Sequence, residues 1–268
     1  MRKLLRTILA LTACGLLLYG GVNLASYILE TRQSARLNES LAQMAVALRP
    51  TEPSTPPDTG ETAPVSTAES EPTEALLDEA APIEVDFDVL LENSADIVGW
   101  LYCEDTPINL PVVQGTDNSF YLNRMYDGTG NGSGTLFIDY RSPRDFSGSN
   151  TVIYGHNMKN KSMFGTLANY KQQEYYDAHP VLWLLTPDRN YKLEPVAGLV
   201  TPDDASVYAY DLTRQEAYAM VQNALQDSTF TAETGPAPTD RYLTLSTCSY
   251  EFANARYVLI ARLRPLAN

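Results

Sequence analysis

Arg241-Tyr-Leu-Thr-Leu-Ser-Thr-Cys248, then Ser249-Tyr-Glu-Phe-Ala-Asn-Ala255, then Arg256-Tyr-Val-Leu-Ile-Ala-Arg-Leu263 is the stretch on which the reading of this chain turns. Successive side chains of a strand point to opposite faces. In the first run Leu243 and Leu245 share one face, while Thr244, Ser246 and Cys248 share the other. Cys248 is therefore expected to point away from the core. In the second run Tyr257, Leu259, Ala261 and Leu263 form the apolar set, which turns Arg256 outward on the face of Val258, Ile260 and Arg262. The link between the runs is long for a hairpin but short enough to join adjacent antiparallel strands, which brings Arg256 close to Cys248.

Upstream, Thr151-Val-Ile-Tyr-Gly-His-Asn157 places one of the two histidines just past another strand-like run. A thiol and an imidazole, with ordinary pKa values of ~8.5 and ~6.5, share a proton near neutrality. The sulfur can then attack a carbonyl, and the imidazole can protonate the leaving amine. Arginine stays protonated and offers a planar fork to a carbonyl oxygen or to the oxyanion that grows on it. Cysteine, histidine and arginine together point to acyl transfer. Each also has an ordinary reading: a lone cysteine at a strand end is commonly a small buried hydrophobe, His156 a surface histidine and Arg256 an edge cation. His179, in Asp177-Ala-His-Pro180, keeps its ordinary reading.

The ordered series Val98-Gly-Trp-Leu101, Pro111-Val-Val-Gln114, Asp117-Asn-Ser-Phe-Tyr-Leu122, Tyr154-Gly-His-Asn-Met158, Met163-Phe-Gly165, Thr244-Leu-Ser-Thr-Cys248 and Arg256 resembles a class B sortase, a membrane-anchored cysteine transpeptidase. The resemblance runs from about Val98 to Leu263. It implies a mostly β fold: a closed sortase-type β-barrel of about eight strands, an N-terminal helical segment, and a helix between the sixth and seventh strands that walls one side of the substrate groove. It implies Cys248 as nucleophile, His156 as general acid and base, and Arg256 as clamp on substrate and oxyanion. Ser246 would line the groove, and the backbone N–H of Ser249 would complete the oxyanion site. The implied partners are secreted proteins carrying a C-terminal sorting signal and an amine of a cell-wall precursor or pilin. On the residues alone two other classes stay open, an extracellular cysteine protease in which water resolves the acyl enzyme and a noncatalytic surface-binding barrel.

The rest of the chain sets the compartment. Met1 to Arg6 is basic and Thr7 to Leu29 carries no charge, a run of about the ~20 residues that cross a bilayer as a helix. This predicts a membrane anchor over 1–29 with a cytosolic N-terminus and an extracellular catalytic domain. Leu37, Leu41, Met44 and Leu48 lie at helical spacing and predict a juxtamembrane helix over 30–49. Residues 50–82 are rich in Pro, Thr, Ser and Glu and read as a disordered tether. Within it Pro56-Pro-Asp-Thr-Gly60 resembles the core of a sorting pentapeptide, though composition alone produces such strings.

Residues 83–268 form one domain's worth of sequence. Val89 to Val98 reads as a helical lead-in ending at Gly99. The apolar runs 108–113, 135–139, 151–154, 181–185 and 191–200 then read as short strands between Gly, Pro, Asn and Asp turns. Thr213-Arg-Gln-Glu216 is a capping box, and Ala217, Met220, Val221, Ala224 and Leu225 follow on one helical face. A formal net charge of −14 argues against a nucleic-acid partner. No cofactor is expected: the Gly-rich 127–134 lacks the lysine and following helix of a phosphate loop, and no HxxxH or Cys-rich spacing marks a metal site. The three cysteines give no disulfide framework, and Cys103 beside Trp100 reads as packing.

Overall fold

The computed structural model describes residues 2–49 and 76–267. The Pro56 to Gly60 string and most of the expected tether lie outside the described residues. Among those described, eight strands close into a barrel: β3 (Ile97–Tyr102), β4 (Asn109–Val113), β5 (Leu136–Ile138), β6 (Asn150–Tyr154), β7 (Leu182–Leu185), β8 (Asn190–Pro202), β9 (Tyr242–Cys248) and β10 (Ala255–Pro265). Their order around the barrel is β10-β8-β7-β3-β4-β5-β6-β9, closed by β9 on β10. The pairs β4–β5 and β6–β9 are parallel and the others antiparallel. The expected mostly β, closed eight-stranded barrel is the fold observed.

Alternation sorts the side chains as the sequence pattern requires. Leu243 and Leu245 of β9 and Tyr257, Leu259, Ala261 and Leu263 of β10 fill the barrel interior with Leu101, Val112, Ile153 and Leu193. The outward set is not left in water. Val258 and Ile260 are buried beneath α4 (Arg214–Ala224), whose Ala217, Met220, Val221 and Ala224 pack on them. The capping box is formed: Thr213 accepts from the Glu216 amide, and Glu216 accepts from Thr213. This helix lies between the sixth and seventh barrel strands, as the resemblance implied.

One strand departs from the sequence reading. Ile97 and Val98 belong to β3, and the helix before them, α2, covers only Phe87–Asn93. Gly99, read as a terminator, sits inside the strand, where a Cβ would lie 3.0 Å from the Leu185 carbonyl oxygen and 3.2 Å from Leu184 Cδ1. Glycine here marks a close approach between strands and not a break. A further short helix, α3, spans Gln173–Ala178.

The N-terminal region also differs from expectation. Helix α1 runs unbroken over Arg2–Ala45, and by length and apolar composition it is a candidate membrane span. Its C-terminal part does not stand free of the barrel. Leu41 is fully buried and Ala45 nearly so, with Leu37 and Ala42 packed beside them against Ile83, Leu90, Trp100, Tyr126 and Leu185. Met44 and Leu48, expected on the same stripe, are exposed. The chain leaves the helix at β1 (Val46–Leu48), which pairs antiparallel with β2 (Ile83–Val85), Leu48 opposite Ile83. Helix spacing carried through 49 therefore overran the helix by one short strand. The last residues of the expected tether lie on the barrel too: Leu77 bridges Leu266, and Ala81 is buried.

Candidate functional site

The site lies at one end of the parallel pair β6–β9. Tyr154 is the register partner of Ser246, and the ladder continues past it: Gly155 N–H donates to Ser246 O at 3.1 Å and Thr247 Oγ1 to Gly155 O at 2.8 Å. Two residues beyond the Tyr154–Ser246 pair along each chain are His156, just past the end of β6, and Cys248, the last residue of β9, and both line one cavity. Antiparallel pairing then places Arg256 directly opposite Cys248. The topology thus gathers His156, Cys248 and Arg256 at one rim of the barrel. Gly155, just before His156, packs tightly on the core, since a Cβ there would run into Leu136 Cδ2 and lie 2.6 Å from Phe164 Cδ2.

The three side chains border a cavity of about 300 Å³ lined also by Asn118, Phe137, Tyr154, Asp203, Tyr208 and Ser246. His156 Nε2 is 2.7 Å from the carbonyl oxygen of Leu122. A carbonyl only accepts, so Nε2 carries the hydrogen and Nδ1 of the neutral ring is the free base. Asn157, the residue that in a protease-like arrangement would orient the histidine, instead donates its Nδ2 to Cys248 O at 2.8 Å. Arg256 donates Nη1 to Ala255 O at 3.1 Å and Nη2 to Asp203 Oδ2 at 3.3 Å.

Ser246 is buried, its Oγ 2.9 Å from the hydroxyl of Tyr208. Burial pushes the Tyr208 hydroxyl up to about 12, so it stays protonated through the neutral range. The Tyr208 ring stacks on Tyr154, centroids 6.2 Å apart. Buried Asn150 holds this wall, donating Nδ2 to Val207 O at 3.0 Å and Ala209 O at 2.8 Å and accepting from Thr244 Oγ1 at 2.9 Å. The groove wall expected of α4 is supplied by the segment leading into it, and α4 itself serves for packing.

Ser249 is placed differently from the expectation. Its backbone N–H donates to Ala255 O at 2.9 Å, closing the turn between β9 and β10, so it is not directed at the cavity. Its side chain joins Glu251 and Lys171, whose hydrogen bonds, Lys171 first, hold the Glu251 carboxyl down at about 2. His179 lies outside the cavity lining, its Nδ1–H donating to Tyr175 O at 3.0 Å and its carbonyl accepting from the Tyr170 hydroxyl at 2.8 Å. Cys103 is buried with its thiol pKa raised by that burial, and all three cysteines are free.

The sequence reading assigned no role to Asn118, Asp203 or Tyr208. Asn118 and Leu122 lie within the quoted Asp117 to Leu122 run. The Thr201-Pro-Asp-Asp204 turn followed by Tyr208 and Tyr210 was the available signal for the other wall.

The profile of the sortase domain matches residues 101–264. The chain belongs to the sortase family. Sortase B of Listeria monocytogenes is 34% identical over 171 residues, covering 63% of this chain and 70% of that protein. A Staphylococcus aureus sortase B–substrate complex matches with a TM-score of 0.64 at 27% identity, over 68% of this chain and 85% of that one. A sortase B complexed with triglycine matches with the same TM-score and identity, over 68% and 86%. These relatives place the chain in class B, and sortases of this class are cysteine transpeptidases.

Proposed function

We propose that this sortase is a membrane-anchored transpeptidase of a Gram-positive-type cell surface. It cleaves a sorting motif near the C-terminus of secreted proteins after threonine and passes the acyl group to an amine of a cell-wall precursor or a pilin. The observation that carries this reading is the meeting of Cys248, His156 and Arg256 on one cavity. Cys248 is the nucleophile: its thiol proton passes to Nδ1 of His156 as the sulfur adds to the threonine carbonyl. Charge grows on the carbonyl oxygen. With the Ser249 amide committed to Ala255, Arg256 is the donor that stabilises this oxyanion. His156 then protonates the departing amine, leaving a thioacyl enzyme. The acceptor amine loses its proton to His156 as it attacks, and the thiol is restored.

The Ser246–Tyr208 pair lines the groove, and the stacked Tyr154 and Tyr208 give an extended peptide an apolar wall. Relatives solved with a substrate and with triglycine support a peptide and a small amine as the two reactants. Helix α1 is the anchor, its N-terminus cytosolic and the barrel outside. Turnover of a Pro-x-Thr peptide with and without added triglycine tests the reading. Ligated product in the presence of the amine supports a transpeptidase. Hydrolysis at an unchanged rate with no ligation assigns a protease instead.

A further inference from the structure

We propose that α1 is a rigid mount that holds the barrel at a fixed height above the lipid surface, and that the segment between β1 and β2 plays no part in setting that height. The inference rests on the reading of α1 as the membrane anchor. Three observations carry it.

First, the helix does not stop at the end of its apolar run. Leu9, Leu11, Leu16 to Leu18, Val22, Leu24 and Leu29 are exposed on all sides, as a bilayer-spanning surface must be. From Glu30 onward the same helix carries a buried stripe, Ser34, Leu41 and Ala45, with Leu37 packed beside it. Second, the barrel grips the helix from Glu30, the first charged residue after its apolar run. Asn131 Nδ2 donates to Glu30 O at 2.9 Å, and the Gly132 amide donates to Glu30 Oε2 at 3.2 Å. The Gly-rich 127–134 loop is thereby a collar at the point where the helix leaves the membrane. Third, the expected tether begins and ends at one place. Leu48 pairs with Ile83, and Arg49 N–H donates to Pro82 O at 2.9 Å. The chain between those residues starts and finishes at the β1–β2 pair, and Leu77 within it bridges Leu266 on the barrel, so its length does not separate barrel from membrane.

Length decides what this means for function. A tether of the expected extent would reach about 100 Å in polyproline geometry. The helix from Leu29 to Ala45 rises only about 24 Å, and the barrel touches it along that rise. The collar also belongs to the β4–β5 connection that carries Leu122, the acceptor for His156. The cavity is therefore presented at one distance and orientation, and both the polypeptide and the amine must arrive within that layer.

The test uses the full chain in phospholipid vesicles, with Cys14→Ser and a donor fluorophore on Cys248, and measures energy transfer to acceptor-labelled lipid. A flexible insert of about twenty Gly and Ser residues, spanning about 25 Å on average, is placed either after Gly60 or after Leu29. Transfer is expected to be unchanged by the first insert and to fall severalfold with the second. Equal or greater loss from the insert after Gly60 overturns the mount, as does weak transfer in the parent chain that still co-floats with vesicles. Failure to co-float rejects the anchor reading itself, and the mount with it.

Discussion

Arg256→Lys is expected to lower kcat/KM on a Pro-x-Thr peptide by about 10²–10³, the cost of removing one strong oxyanion donor. Lysine keeps the charge but presents a point ammonium in place of a planar fork. The competing effect is the ion pair that Arg256 makes at rest. That contact is 3.3 Å long between side chains 28% and 43% exposed, a geometry worth no more than about 1 kcal/mol. An oxyanion donor is worth about 2.7–4 kcal/mol, so substrate wins Arg256 from Asp203. Two results follow. Asp203→Asn should change kcat/KM less than tenfold. Arg256→Lys should shift Tm by less than about 4 °C, since a loss of that size moves a domain of this length little. The assay is stopped-flow cleavage of a quenched fluorescent peptide beside a thermal melt. Arg256→Lys within threefold of wild type, or Asp203→Asn as damaging as Arg256→Lys, would refute the clamp.

Other perturbations test other parts of the structure. Leu41→Ala should cost about 2–5 kcal/mol, because a fully buried leucine in the α1–barrel contact becomes a cavity, and a chain beginning at Ile83 should be less stable and less soluble than one beginning at Glu30; urea melts compare them. Asn157→Ala removes the bond to Cys248 O and should lower kcat about fivefold with little change in KM, the loss of a net ~1 kcal/mol contact that positions the nucleophile; unchanged kcat would make it a bystander. Asp139 is fully buried, which pushes its carboxyl up, but hydrogen bonds from Arg141 and Asn118 outweigh that and hold it at about 2, below its ordinary 3.8. A depressed carboxylate contributes stability above its unfolded pKa and loses it as pH falls through the folded one. The contribution, about 2.5 kcal/mol, should therefore be complete above about pH 4 and gone below about pH 2. Melts of wild type and Asp139→Asn should converge over that window, and a constant gap would contradict the assignment.

The residues at the rim were legible because strand alternation is a local rule. Leu243 and Leu245 fix the inner face of β9, so Cys248 had to point outward, and the short link put Arg256 across from it. His156 was legible as a residue just beyond a strand, but its adjacency to Cys248 depends on the parallel β6–β9 pairing, which joins residues 92 positions apart, as Tyr154 and Ser246 show. Asp203 and Tyr208 were missed for the same reason: they reach the cavity from a loop tied down by Asn150, and no periodicity reports such a bond. The Ser249 amide was misplaced because only the closed turn shows Ala255 taking it. Gly99 misled through its composition signal, where a packing demand had overridden turn preference. The stripe Leu37, Leu41 was legible as helical but its packing on the barrel was not, since periodicity identifies a buried face without saying what covers it.

The most direct test of the account is intact-mass analysis of the enzyme mixed with a Pro-x-Thr peptide in the absence of an amine, quenched in acid. A thioacyl adduct on Cys248, with the mass of the peptide up to its threonine, is expected to build up in wild type, to be absent in Cys248→Ala, and to disappear on adding triglycine as ligated product forms. Cleavage of the peptide by Cys248→Ala at a rate near wild type, or an adduct on another residue, would contradict it.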